Sequence, residues 1–441
     1  MTSNRPKVIV IGGGFGGLSV ANGLADQPVD VLLIDRNNFH TFTPLLYQVA
    51  TSGLDPSEIA YPIRSIYRDK SNIEFLMGEV QSVELDVKRI QVKAHGEDQT
   101  YDYDYLVIAA GSVTNFFDNE AYQQYGFGLK DLRDSLRLRN HILKLFEQAS
   151  WTQDSQEREA LMTMVIVGGG PTGLETAGAL YELYNNVLAA EYKGDGQLQT
   201  RVILVEALDS LLQPYSQNLQ RAAKRQLESL GVEVVLGQMV AHVEPGAVKL
   251  KSGDVIRSYT MVWATGVKGV PLAETVGVDL AQGNRIPVTR SLKIKGYHGA
   301  YAIGDIAHLL DPKTDQPYPQ VIPVAQQQGS LLAENILREM RGENPKHFTY
   351  FDKGLMATIG RRRAVAWPFY KVELTGFLAW ITWLALHLLW LMGFRNRLNV
   401  LINWVWNYLT YDRSVRIILD SNLESETDFE GSLESAPRTG D

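Results

Sequence analysis

The chain has 441 residues, 45% of them hydrophobic and 21% charged, enough for two or three domains of ordinary globular composition. It contains no cysteine, which excludes disulfides, thiolate metal sites, CxxC redox pairs and cysteine nucleophiles and moves any redox chemistry onto a bound cofactor. The formal charge of −8 is concentrated in residues 420–441, where seven acids face only Arg438; the nearly neutral remainder excludes a nucleic-acid footprint, and the tail itself reads as a disordered acidic end.

Met1 to Lys7 is polar, with no charged-then-apolar signal peptide, and implies a cytoplasmic start. Lys7 to Ile11 is a short β-branched run followed by Gly12-Gly13-Gly14-Phe15-Gly16-Gly17 and a helical pattern through Leu18, Ala21 and Leu24. In such a strand-turn-helix unit the glycines let the backbone approach a pyrophosphate, and the N–H groups of the new helix face its charge. A second strand, Val29 to Ile34, ends in Asp35, a carboxylate placed to accept from an adenosine ribose. Asp104 to Ala110 predicts a further strand, closing in Gly111-Ser112.

The pattern recurs. Met164 to Val167 is apolar, Gly168-Gly169-Gly170-Pro171-Thr172-Gly173 follows, and a helix opens with Leu174 and Glu175. The next strand, Val202 to Val205, ends in Glu206 after a polar insertion around Tyr192 to Thr200. An acid there favours NADH, because it repels the 2′-phosphate of NADPH, although Arg201 upstream pulls the other way. Two such units predict two dinucleotides. Met261 to Ala264 runs into Thr265-Gly266, and Tyr301 to Ile303 runs into Gly304-Asp305, where the carboxylate suits a flavin ribityl chain or, alternatively, a plain helix N-cap.

The stretch HTFTPLLYQVATSGLDPSEIAYPIRSI, residues 40–66, resembles the type II NADH dehydrogenases, the single-subunit NADH:quinone oxidoreductases, with a pyridine nucleotide-disulfide oxidoreductase-like fold. The resemblance extends through GGGPTGLE at 168–175, the Gly304-Asp305 pair and the apolar segment from Gly376 to Arg413, about residues 5 to 415 in all. It implies an α/β chain with two Rossmann-like domains and a C-terminal helical membrane-binding region. It assigns FAD contacts to Gly12, Gly14, Gly16, Gly17, Asp35, Gly111, Gly304 and Asp305, and the NADH site to Gly168, Gly170, Gly173 and Glu206. Glu175 matches a carboxylate near flavin and nicotinamide that orients the reductant or passes a proton; a first-turn acid complementing the helix dipole is the alternative. Ile322 to Gly329 matches the segment bordering flavin and quinone, with Gln327 at its second glutamine and Pro323 where many members carry the first. The implied reaction moves two electrons from NADH through FAD to a membrane quinone without proton pumping. An NADPH-preferring naphthoquinone-type reductase and a slow flavin-binding redox sensor are the alternatives.

Phe377 to Phe394 carries no formal charge, and five of the eight tryptophans fall between Trp380 and Trp406, an interfacial composition. A transmembrane helix, a pair of helices lying in one leaflet and a hairpin buried in a dimer all fit; the resemblance favours the second, with homodimerisation. Arg361, Arg362, Arg363, Arg395, Arg397, Arg413 and Arg416 are placed to face anionic headgroups. The expected organisation is an FAD domain from 1–115 and 287–350, an NADH domain at 116–286, a membrane-anchoring region at 351–419 and an acidic tail at 420–441. The expected location is the cytoplasmic face of the cell membrane, peripheral or monotopic. The eight scattered histidines offer no zinc spacing and no EF-hand loop is present, so no metal is expected.

Overall fold

The computed structural model describes residues 5–191, 200–413 and 415–418. The polar insertion near Tyr192 and the acidic tail therefore lie outside the described residues, apart from Thr200. Contacts divide the chain into two compact units, one from Met1–Thr41, Ala60–Asn115 and Gly266–Asp352, the other from Phe42–Ile59, Phe116–Thr265 and the chain from Lys353 onward.

The first unit is built on a five-stranded parallel sheet in the order Ala300–Ala302, Tyr105–Ile108, Lys7–Ile11, Asp30–Asp35, Ile73–Met77. Val8, Val10, Leu33 and Ile108 are fully buried, as a parallel sheet covered on both faces requires. The Phe15–Leu24 helix buries its Leu18, Val20, Ala21 and Leu24 face and packs along the Ile322–Met340 helix. A meander of Glu79–Glu84, Arg89–Ala94 and Glu97–Asp102 completes the unit. Its middle strand alternates exposed and buried residues, the period-2 signature of a sheet with one wet face.

The second unit repeats the plan, with parallel strands in the order Gly126–Phe127, Thr260–Trp263, Thr163–Val167, Arg201–Glu206, Glu233–Leu236. The helix Leu132–Trp151, whose boundaries pattern alone leaves open, starts at a capping box in which Asp131 and Asp134 each bind the other's end of the turn. An antiparallel sheet of Gly354–Gly360, Arg363–Pro368 and Leu374–Thr375 follows. Its first strand runs so close to the helix Pro171–Glu182 that a Cβ on Gly178 would sit 1.6 Å from the Ile359 carbonyl oxygen. Only glycine permits that approach.

The apolar C-terminal segment is two helices, Gly376–Trp390 and Phe394–Thr410. The break comes at Gly393, with φ +83°, and Arg397 Nε donates to the freed Leu391 carbonyl at 2.7 Å, satisfying a helix-end acceptor. No described helix is long and apolar enough to cross a membrane. Residues 42–59 reach this region through polar contacts: Asn396 donates to Ser57 O (3.3 Å), Asn407 to Gly53 O (3.2 Å) and Arg413 to Thr51 O (2.7 Å).

Candidate functional site

In the first unit the glycine turn forms a cradle at the C-terminal edge of the sheet. Gly12 has φ +105°, and a Cβ on Gly17 would lie 1.8 Å from the Gly12 carbonyl oxygen, so turn and helix close on each other only without side chains. Gly14 caps the Phe15–Leu24 helix without a side-chain hydrogen bond, and a Cβ placed on Gly14 or Gly111 would meet nothing within 4 Å. The helix amides thus look into open space, as an anionic pyrophosphate requires. Asp35 fixes the turn: Oδ2 accepts from Gly13 N at 2.6 Å and Oδ1 from Asn37 N at 2.7 Å. Burial raises its pKa above the ordinary carboxylate value, against these two amides and Arg36, which lower it. Gly16 is buried beside Ile303. Asp305 receives a 2.5 Å hydrogen bond from Ser112 Oγ, and its carbonyl one of 2.9 Å from Gln320. Two strand ends far apart in sequence thereby hold one carboxylate in place.

The second unit carries the same construction. Gly168 has φ +112°, a Cβ on Gly173 would lie 1.9 Å from its carbonyl oxygen, and Gly170 opens the Pro171–Glu182 helix onto free space. Glu206 takes the part of Asp35, accepting from Gly169 N at 2.5 Å and Leu208 N at 2.8 Å. Arg201 is committed elsewhere, to Glu233 at 2.8 and 2.9 Å and to Glu159 at 3.1 Å, at the opposite end of a strand spanning roughly 16 Å. It is not presented beside Glu206.

The second unit also encloses a cavity of about 610 Å³ lined mainly by apolar side chains of the two C-terminal helices, with Glu175, Tyr47, Gln48 and Arg413 among its polar members, a size and composition typical of small-molecule sites. Glu175 sits in the second turn of the Pro171–Glu182 helix and accepts from Thr358 N at 3.3 Å. Burial drives its pKa from 4.5 to about 8, with the Thr358 amide and the nearby Trp383 indole N–H opposing the rise. The carboxyl is therefore mainly protonated at neutral pH, which an acid merely complementing the helix dipole would not be. One wall is sealed by Glu182 and Arg413, 3.6 Å apart and each at most 16% exposed. Glu182 also accepts from Arg361 N at 2.6 Å. Trp383 stacks on His387 with ring centroids 3.9 Å apart, and burial lowers the His387 pKa to about 4, partly offset by its bond to Trp383 O, so the ring is neutral.

Gln327 lies in the first unit, its amide clamped in both directions by the Phe351 backbone, donating at 3.0 Å and accepting at 2.9 Å. Its neighbour Gln328 is buried and accepts from Gly304 N at 2.7 Å. Tyr47, Gln48, Trp404 and Glu182 were not singled out as site residues by sequence reading, the distinctive 40–66 stretch holding a signal for the first two; Arg413, expected to face anionic headgroups, is instead turned inward onto Glu182 and the Thr51 carbonyl.

A chain with two glycine cradles, each locked by an acid from the following strand, is an oxidoreductase of the two-dinucleotide class. Residues 6–329 match the family described as pyridine nucleotide-disulphide oxidoreductase. The type II NADH:quinone oxidoreductase Ndh of Mycobacterium tuberculosis is 37% identical over 443 residues, covering 98% of this chain and 94% of that protein. The type II NADH:quinone oxidoreductase NdhA of the same organism is 37% identical over 416 residues, covering 91% of this chain and 86% of that protein. In fold the chain resembles the structure of NDH2 from Plasmodium falciparum in complex with NADH, with TM-score 0.86 at 21% identity, covering 95% of this chain and all of that one. The chain belongs to the type II NADH:quinone oxidoreductases, within the pyridine nucleotide-disulphide oxidoreductase family.

Proposed function

We propose that this chain oxidises NADH and reduces a membrane quinone, with FAD in the first cradle and NADH in the second. The observation that carries the reading is the repeated cradle itself, Gly13 N on Asp35 and Gly169 N on Glu206. The residues fit FAD: the space before Gly14 and Gly111 is open, and Asp305 is held beside Ser112. Bound there, FAD would supply the two-electron chemistry that links oxidation of NADH to reduction of a quinone.

The chain's own part is placement. Gly12, Gly14, Gly16 and Gly17 leave room for the flavin nucleotide's pyrophosphate, Asp35 takes the ribose hydroxyls, and Gly304 and Asp305 hold the ribityl side. Gly168, Gly170, Gly173 and Glu206 do the same for NADH, and Glu206 disfavours a 2′-phosphate by charge. Glu175, neutral at pH 7, is a proton donor inside a cavity whose apolar lining suits a quinone. Gln327 acts by holding its helix to the Phe351 segment, at the border of the flavin site. The domain plan assigns FAD to 1–115 and 287–350 and NADH to 116–286; the compact units differ from it at 42–59, which belongs to the second, and at 266–286, which belongs to the first.

Residues 351–419 supply membrane association, peripheral or monotopic, on the cytoplasmic face. Ile402, Val405, Trp406 and Leu409 of the last helix are each more than half exposed, an apolar strip that water does not favour. A homodimer is the assembly we expect. The test is steady-state turnover of the purified protein in mild detergent with a short-chain quinone. NADH should support turnover and NADPH should be a poor donor. NADPH equal to NADH overturns the role of Glu206, and no quinone reduction with either overturns the function.

A further inference from the structure

The cavity of the second unit contains a hydrogen-bond chain whose direction is fixed by chemistry. Trp404 Nε1 stands 2.8 Å from Gln48 Oε1. An indole nitrogen only donates, so the atom facing it must be the amide oxygen and the Gln48 orientation is settled. The amide nitrogen then faces Tyr47, with Nε2 2.8 Å from Oη. That nitrogen also only donates, so the phenol oxygen accepts and its own hydrogen points away from Gln48.

Tyr47 is 6% exposed and lines the cavity, yet no hydrogen bond from its hydroxyl to an acceptor is found among the described residues. Buried donors rarely go unpaired, so the phenol is built to meet an acceptor on a ligand. Burial and the nearby Glu175 carboxyl push its pKa well above the usual phenol range, which keeps it a donor throughout the working pH. The lining is mostly apolar, with Trp380, Leu384, Leu388, Leu401 and Val405 outweighing the few polar groups, which suits a carbonyl carried on an otherwise apolar molecule.

We propose that Tyr47 donates the hydrogen bond that holds one carbonyl oxygen of the quinone, and that Gln48 and Trp404 are positioning residues that aim it. This rests on reading the cavity as the quinone site. Charge builds on that oxygen as the ring is reduced, so a fixed donor there favours the reduced form over the bound reactant.

The test compares NADH-driven reduction of a short-chain quinone with that of ferricyanide, an acceptor without a carbonyl. Tyr47→Phe should lower the ratio of quinone to ferricyanide kcat/KM by about tenfold, the loss of one hydrogen bond. Trp404→Phe should lower it less, and the double variant should be no worse than Tyr47→Phe alone, since Trp404 acts only through the phenol. An unchanged ratio in Tyr47→Phe, or losses that multiply in the double variant, overturns the proposal. Ala385→Trp separates the two readings, because Ala385 is exposed and lines the cavity. If it blocks quinone but Tyr47→Phe leaves the ratio unchanged, the cavity is the quinone site and Tyr47 is not its donor. If it leaves quinone reduction intact, the cavity reading and the proposal fall together.

Discussion

Replacing Glu175 by glutamine isolates what burial of one carboxyl does to this protein. The folded carboxyl keeps its proton up to about pH 8, whereas the unfolded one releases it near 4.5. Between those values the folded state binds the additional proton, so stability falls as pH rises through the window and is level outside it. The displacement sets a ceiling of about 5 kcal/mol, and the real figure is smaller because the cavity face of Glu175 is partly accessible. Glutamine retains an oxygen for the Thr358 amide and carries no charge at any pH. Thermal midpoints of wild type and Glu175→Gln should therefore coincide near pH 4.5 and diverge as pH rises, with the variant more stable by several degrees at pH 9, at ~2–4 °C per kcal/mol. The same variant should lose a decline in quinone turnover centred near pH 8. A midpoint difference independent of pH, or a variant less stable at pH 9, would refute the burial argument.

Gly17→Ala forces a methyl against the Gly12 carbonyl oxygen, which it would meet at 1.8 Å, and should yield protein without bound flavin; Gly14→Ala, with nothing within 4 Å, should keep its fold and bind FAD more weakly, both read by the flavin-to-protein absorbance ratio. Gly178→Ala should cost at least about 2 kcal/mol by separating its helix from the Ile359 strand, visible as a lower denaturation midpoint. Glu on Ile402, Trp406 and Leu409 together should abolish co-sedimentation with lipid vesicles while leaving the thermal midpoint nearly unchanged, since all three are exposed.

Both cradles were legible because their evidence is local: a β-branched run, glycines where Cβ atoms collide, and an acid at the end of the next strand. The interruption of the apolar C-terminal segment was less so, since Phe377 to Phe394 reads as one uncharged stretch and the break depends on Gly393 and on Arg397 reaching back to Leu391 O. The cavity was legible only in part, through the 40–66 stretch and Glu175, and its assembly was not. Gln48 meets Trp404 across 356 positions, and Glu175 owes its proton to burial created by residues near 358 and 383, which no pattern near residue 175 encodes. Gln327 was selected by motif alone, and no local pattern encodes the clamp of its amide on the backbone of Phe351.

The central claim is a two-electron relay from NADH to quinone, and anaerobic titration of the visible flavin band tests it most directly. One equivalent of NADH per flavin should bleach the band, and one equivalent of a soluble quinone should restore it. A flavin confirmed to be present that NADH leaves unbleached, or that stays reduced when quinone is added, would contradict the assignment.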